Sequence, residues 1–356
     1  MRRPTQHWVI LQLVSMFCLG ISAQVQAQTR GASMGVFIDL RSDKTAADAK
    51  ALGLGWVRIM YSWTWLEQTE GKYNWIEFDQ WIARAKAQKL KVLAVAQGSP
   101  AWANGGHGPY DKESGLATPP LPEFYPQFAT YAAEMVRRGV DAIEVWNEPN
   151  SGFWLPGPGP KAWAKLVAAC FDAVKAVDPK VPVVTGGVCP LQQGSLNANS
   201  PERFLKAALE AAPELTHKFD GVGHHPYVFA NDPKAKDPLT APYQWNAILQ
   251  TEAMHKLLTE HGVGDKPIWF TEYGVPTGGP FGAVTAQESG MIYSHYYQAF
   301  DRLTALGIKL GPSFFWTLYD SAEYRKANAI EGWEGIYDLD GSPKASVEVI
   351  KLRAGK

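Results

Sequence analysis

Strand-like apolar runs alternate with helix-period runs through most of this chain, and that rhythm constrains the fold more than any single motif. Strand character is found at residues 34–38, 56–60, 91–96, 141–146, 181–187, 219–225, 267–272 and 311–316. Helical patterning separates these runs at 45–52, 75–85, 125–138, 161–177, 201–211, 245–261 and 287–306, and follows the last of them at 343–352. Within 75–85, for example, Trp75, Phe78, Trp81, Ile82 and Ala85 share one face at the 3.6-residue period. A strand, a helix and another strand call for a parallel pair with a right-handed crossover, and eight such units close into a barrel more readily than they spread into an open sheet. The expected fold is therefore α/β, a (β/α)8 TIM barrel forming a single domain over residues 31–356. The competing doubly wound nucleotide-binding fold is the weaker reading, because no glycine-rich phosphate fingerprint follows the first strand.

The amino terminus has a different character. Arg2 and Arg3 precede a mostly apolar run at 9–21, and small residues follow at Ala23 and Ala27. This is the pattern of a secretory signal peptide at 1–27, cut after Ala27 or after Ala23, which directs the expectation to a secreted protein, periplasmic or extracellular. The apolar run is too short to span a bilayer, so no stable membrane insertion is expected after cleavage. The 34 basic and 35 acidic residues nearly cancel, and nothing in this balance suggests a nucleic-acid or membrane partner. No partner chain is implied, and a monomer is the expectation. Aromatic residues are abundant, with 14 Trp, 14 Tyr and 15 Phe; flat rings of this kind stack on the apolar faces of sugars, although most must serve the core. Cys170 falls on the buried stripe of a helix and Cys189 beyond the next strand, at different heights in a barrel, so both are expected as free thiols.

Chemistry enters at strand ends. The fourth strand carries Ile143, Val145 and Trp146 and then turns polar at Asn147-Glu148-Pro149-Asn150, so Glu148 emerges at the rim where barrel enzymes keep their sites. Glu272 ends the seventh strand and reaches the same rim. Two carboxylates about 5–5.5 Å apart are what a retaining glycosidase needs, one protonating the leaving oxygen and one attacking the anomeric carbon. No cofactor is called for.

These residues also carry a family resemblance. Trp146-Asn147-Glu148-Pro149 on strand four, with Phe270-Thr271-Glu272-Tyr273-Gly274 on strand seven, resembles clan A of the glycoside hydrolases. Trp56-Val57-Arg58, the helix entry at 71–76, Pro100-Ala101-Trp102 and the 144–150 stretch are most similar to glycoside hydrolase family 39. The resemblance covers nearly all of residues 34–350. It implies Glu148 as acid/base, Glu272 as nucleophile and Asn147 as the partner of the sugar 2-hydroxyl. It further implies Arg58 beside the nucleophile, Tyr227 of the His225-Pro226-Tyr227 turn bonded to it, Trp316 as a platform under the sugar, and a cis peptide at Trp316-Thr317. The family includes β-xylosidases, α-L-iduronidases and hydrolases of biofilm exopolysaccharide. Its xylosidases carry an accessory β-sandwich for which these residues leave no room, so the expectation turns to the bare-barrel exopolysaccharide enzymes.

Several readings stay open at this level. Two-residue alternation from Glu148 points Glu144 into the barrel as well, so Arg58 could serve that buried acid instead of Glu272. His224 and His225 suggest a metal site, but no third ligand with suitable spacing accompanies them. Trp63, Trp65, Trp102, Tyr110, Trp154, Trp245, Tyr319 and Trp333 lie in or near loops after strands, and each is as well explained by packing as by sugar binding. A non-catalytic carbohydrate-binding barrel and a metal-dependent hydrolase on the same fold are the rival classes. Sugar identity and linkage belong to the rim segments 103–122, 192–201, 231–243 and 320–332.

Overall fold

The computed structural model describes residues 30–356 apart from 109–117, 155–156, 191–199, 229–231, 233 and 281. The segment read as a signal peptide and the candidate platform Tyr110 lie outside the described residues.

Eight strands form one sheet: β1 (Met34–Phe37), β2 (Trp56–Met60), β3 (Lys91–Ala96), β4 (Ala142–Val145), β5 (Val183–Thr185), β6 (Val222–His224), β7 (Ile268–Phe270) and β8 (Leu310–Phe315). The order β5-β4-β3-β2-β1-β8-β7-β6 is parallel throughout, as the alternation of elements requires. Single parallel bridges join Val184 to Gly221 and Val188 to His224, bringing β5 against β6 and completing the circuit of a (β/α)8 TIM barrel. The main helices outside the sheet are α1 (Asp43–Ala51), α2 (Trp63–Leu66), α3 (Ile76–Ala87), α4 (Tyr125–Arg137), α5 (Gly159–Val177), α6 (Pro201–Ala211), α7 (Ala247–Glu260), α8 (Ala286–Ala305), α9 (Ala322–Lys326) and α10 (Ser346–Ala354). The short α2 and α9 escape sequence reading because four or five residues do not establish a period. No described helix is long and apolar enough to cross a membrane.

The apolar residues divide into two zones. A large outer core packs the helices onto the sheet, whereas Trp56, Leu93, Ala142, Val184, Trp269 and Phe314 form a separate cluster inside the barrel. The Trp56 ring meets Trp269 edge-on at 5.8 Å and Phe314 at 6.2 Å. Glycines make room for this aromatic plug: a Cβ at Gly35 would lie 2.5 Å from the Phe314 ring, and one at Gly311 would lie 2.3 Å from the Trp269 ring. Two residues further along the same strands come Arg58, Glu144, Thr271 and Trp316, which strand alternation places in the next layer toward the carboxyl-terminal rim. A polar layer thus rests directly on an aromatic one. Cys170 and Cys189 are buried free thiols, as expected.

Replacing Gly35 by Val is expected to lower unfolding stability by about 1–3 kcal/mol through overpacking against Phe314. Urea unfolding reads this as a lower midpoint, and a midpoint equal to that of the unaltered protein would refute the role assigned to the plug.

Candidate active site

Both glutamates sit at strand ends, and the backbone is bent to place them. After β4 the chain enters the left-handed region twice, at Trp146 (φ 72°) and Glu148 (φ 45°), conformations that cost non-glycine residues about 1–3 kcal/mol each. Packing holds the bend. The Trp146 ring meets Trp154 at 5.2 Å, and its indole N–H donates to Phe153 O at 3.0 Å. Asn150 clamps the turn to the end of β5: its Nδ2 donates to Cys189 O at 2.8 Å, and its Oδ1 accepts from Cys189 N at 3.1 Å.

Arg58 lies at the centre. Its guanidinium is fully buried and donates from Nε to Glu144 Oε2 at 2.7 Å, from Nη1 to Glu272 Oε1 at 2.5 Å and from Nη2 to Asn147 Oδ1 at 2.8 Å. The two sequence readings of Arg58 are therefore both realised, because its planar fork reaches two carboxylates at once. Burial opposes its charge, but Glu144 and Glu272 outweigh that and raise its proton affinity above the ordinary value.

Glu272 is almost buried, and its second oxygen accepts from the Tyr227 hydroxyl at 3.0 Å. Burial, and after it the Glu272 charge, hold the Tyr227 hydroxyl well above its ordinary pKa, so it remains a donor. The Tyr227 turn is itself held from α8, where the Tyr296 hydroxyl shares its one proton between Pro226 O at 3.0 Å and Gly274 O at 3.2 Å. Glu148 faces the same space with a different neighbour, His225, whose Nδ1 is 2.9 Å from its Oε1. Glu148, His225 and Glu272 offer one ligand-type atom each, all within 4.8 Å of one another. A cation here would have to displace the His225–Glu148 contact and share Glu272 with Arg58, so the set fits a metal poorly.

Trp316 is half-buried and stacks on Phe37 with centroids 4.0 Å apart, and the Trp316-Thr317 peptide is cis, as the resemblance implies. Trp102 is half-buried, its N–H donating to Glu67 O at 3.0 Å. Trp154 takes the packing alternative. It is 0% exposed, wedged edge-on against Trp146 with its N–H on Gly159 O at 2.9 Å, so it props the bend and has no face for a sugar. Trp63 is equally buried. Trp65 keeps 52% of its surface exposed on α2, directly after β2, while Trp245, Tyr319 and Trp333 are half-buried.

Sequence reasoning missed two residues. Thr271 fills the layer beneath the glutamates, where its hydroxyl donates to Glu144 Oε1 at 2.8 Å; alternation from Trp269 could have found it. Glu334 is buried, and its carboxyl is pushed well above the usual range by burial, then by Glu331 and by the two rim glutamates Glu272 and Glu148. It lies in a turn with no period, held by Asp320, which accepts from Lys344 at 2.8 Å and from Gly335 N at 2.8 Å. Nothing in the local sequence announces it.

No protein-family profile matches this chain, and no curated protein matches it. Solved structures do. A family 39 glycoside hydrolase from the gut symbiont Bacteroides cellulosilyticus WH2 aligns at 22% identity and TM-score 0.69, covering 92% of this chain and 64% of that one. A family 39 enzyme from Xanthomonas axonopodis pv. citri aligns at 18% identity and TM-score 0.65, covering 90% and 66% respectively. A monomeric beta-xylosidase from Caulobacter crescentus CB15 aligns at 18% identity and TM-score 0.64, covering 90% and 67%. This chain thus spans less than two thirds of the first two. At these identities the likeness establishes the fold: a barrel whose structural neighbours are clan A glycoside hydrolases, family 39 among them, in agreement with the motif resemblance.

His224 points away from this cluster, with Phe270 at 6.1 Å. Its Nδ1 bonds Val188 O at 3.0 Å, while Nε2 has no partner among the described residues. Burial lowers its pKa from 6.5 to about 3, so the folded protein keeps the ring neutral where the unfolded chain takes up a proton. The associated stability is complete above pH 6.5 and is lost as pH falls toward 3, with a slope of up to about 1.4 kcal/mol per pH unit. His224→Gln is expected to remove that component when urea unfolding is followed across this window. A slope unchanged in the variant would show that His224 does not carry it.

Proposed function

We propose that this protein is a retaining O-glycoside hydrolase that acts on a polysaccharide or oligosaccharide by double displacement, with Glu148 as acid/base and Glu272 as nucleophile. The observation that carries this reading is the pair of carboxylates within 4.8 Å at the ends of β4 and β7, in unlike surroundings. Arg58 and Tyr227 donate to separate oxygens of Glu272, which supports the carboxylate as attacking group. Among the described residues, Glu148 has no cationic side chain as a hydrogen-bond partner other than the titratable His225.

In the first step a Glu272 oxygen bonds to the anomeric carbon while the glycosidic C–O bond breaks, and the leaving oxygen takes the Glu148 proton. In the second, the Glu148 carboxylate removes a proton from water, which displaces Glu272 and releases the sugar with its original configuration. Arg58 occupies Oδ1 of Asn147, so the Asn147 NH2 is the group left to donate to a sugar hydroxyl. Trp316 on Phe37 offers a ring for the sugar's apolar face, with Trp102 and exposed Trp65 further out.

The finer substrate class we propose is a cell-envelope or biofilm exopolysaccharide. The resemblance to family 39 motifs supports it, as does the export pattern of residues 1–27, from which we propose a periplasmic or extracellular location for the mature barrel. We further propose that the catalytic unit, residues 31–356, acts as a monomer without a cofactor.

Glu148→Gln is expected to lower kcat by about 10²–10⁴-fold with its unfolding midpoint retained, and Glu272→Gln by at least as much, with folding preserved but the midpoint lowered because buried Arg58 loses one of its two carboxylate partners. The assay follows reducing ends and anomeric configuration over time across a polysaccharide panel. For Glu148→Ala, azide should restore turnover of an aryl glycoside whose leaving group needs no protonation, giving a product of retained configuration. An inverted azide product would overturn the assignment of roles.

A further inference from the structure

A line of hydrogen bonds runs from Glu144 inside the barrel to Glu148 at its mouth, and its direction is set at the inner end. Glu144 Oε1 accepts from Gly187 N–H at 2.8 Å and from the Thr271 hydroxyl at 2.8 Å, while Oε2 accepts from Arg58 Nε at 2.7 Å. Gly187 N–H and the Arg58 guanidinium can only donate, so both Glu144 oxygens are set as acceptors. The Thr271 hydroxyl thus commits its one proton to Glu144 and turns a lone pair to its other neighbour. That neighbour is His225 Nε2 at 3.0 Å, which must carry a hydrogen to make the bond. A neutral ring protonated at Nε2 has a bare Nδ1, and Nδ1 lies 2.9 Å from Glu148 Oε1.

We propose that Thr271, oriented by Glu144, is a positioning residue that fixes the Nε2–H form of His225, so that the proton Glu148 delivers is held in the Glu148–His225 hydrogen bond. This inference rests on Glu148 being the acid/base. With the opposite tautomer, the neutral ring would donate from Nδ1 to a bare carboxylate, and the pair would hold no proton to give to a leaving oxygen.

The junction is built for this contact. His225, Thr271 and Glu144 are each 0% exposed, and a Cβ at Gly187 would stand 2.1 Å from His225 Nε2 and 2.6 Å from Thr271 Oγ1. The charged groups facing the ring are Glu148 and Glu144 from the β4 side, at 2.9 and 4.0 Å, and Glu272 from β7 at 3.5 Å. Arg58 on β2 is the remaining charged neighbour among the described residues, and the adjacent His224 is neutral. Burial opposes charge on His225, but Glu272 and Glu148 outweigh both burial and Arg58 and raise its proton affinity. With Nδ1 bare and 2.9 Å from Glu148 Oε1, one proton is shared across the Glu148–His225 contact. When Glu148 protonates the leaving oxygen, this is the proton that moves, and the bond electrons of the cleaved C–O go to that oxygen.

The test uses the full chain labelled with [15N]histidine, with the His225 signals assigned by their loss in His225→Gln. Long-range 1H–15N spectra are recorded as pH is raised until the ring is neutral. The unaltered protein and Thr271→Ser should show a protonated Nε2 and a lone-pair Nδ1. Thr271→Val, which removes the acceptor at Nε2, should move the proton to Nδ1. Where hydrolysis is measured, the alkaline limb of kcat/KM should fall about one pH unit lower in Thr271→Val, and Thr271→Ser should restore it. An Nδ1–H ring in the unaltered protein overturns the proposal, as does a ring whose form is the same in Thr271→Val. The spectrum of the unaltered protein decides the first point even if Thr271→Val does not fold. It is read without any substrate, so a failure of the glycosidase reading would be recognised separately.

Discussion

A guanidinium with no access to water organises this barrel. Placing a cation in an apolar interior costs several kcal/mol, and it is tolerated only when the geometry of its partners is nearly complete. Arg58 meets that condition by sending Nε, Nη1 and Nη2 to three different acceptors, Glu144, Glu272 and Asn147. Those acceptors come from two strand ends on opposite arcs of the barrel. One side chain thereby fixes the inner end of the site, the proposed nucleophile and the amide proposed to meet the sugar. The floor beneath it is the aromatic plug of Trp56, Trp269 and Phe314, which denies water to the layer above and strengthens every interaction there.

The rim shows the other side of the same constraint. Glu148 reaches the shared space only because the chain after β4 turns through left-handed conformations at Trp146 and Glu148, and such strain persists where surroundings enforce it. Trp154, the Asn150 clamp and the close approach of Gly186, where a Cβ would lie 2.7 Å from Val145 O, are the enforcing parts. Rigidity of this kind holds two carboxylates at a fixed spacing, and the spacing is what distinguishes attack by an enzyme group from attack by water.

Much of this was legible in the chain. Eight alternations demanded the barrel, the ends of the fourth and seventh strands named Glu148 and Glu272, and two-residue alternation raised Glu144. Legibility ended where a residue's meaning depends on what lies across the barrel. Arg58 was read as serving one acid or the other, because a sequence lists candidate partners without showing that a planar fork can reach both. Trp154 stayed open between platform and packing, since loop position says nothing about which side a ring turns. Glu334 was not read at all: its turn has no period, and its setting comes from Asp320 and Lys344 bringing distant segments together.

The sequence by itself determined the class of fold, the rim on which chemistry is placed and the two carboxylates there, because periodicity and strand alternation are local properties that survive any packing. The tertiary structure alone decided which donor meets which oxygen. Hydrogen-bond direction through Glu144, Thr271, His225 and Glu148 depends on distances near 3 Å between four side chains from three strands and their following turns. No local pattern encodes such distances. They follow from barrel closure, from glycine at position 187 and from the need of each buried polar group to find its partner.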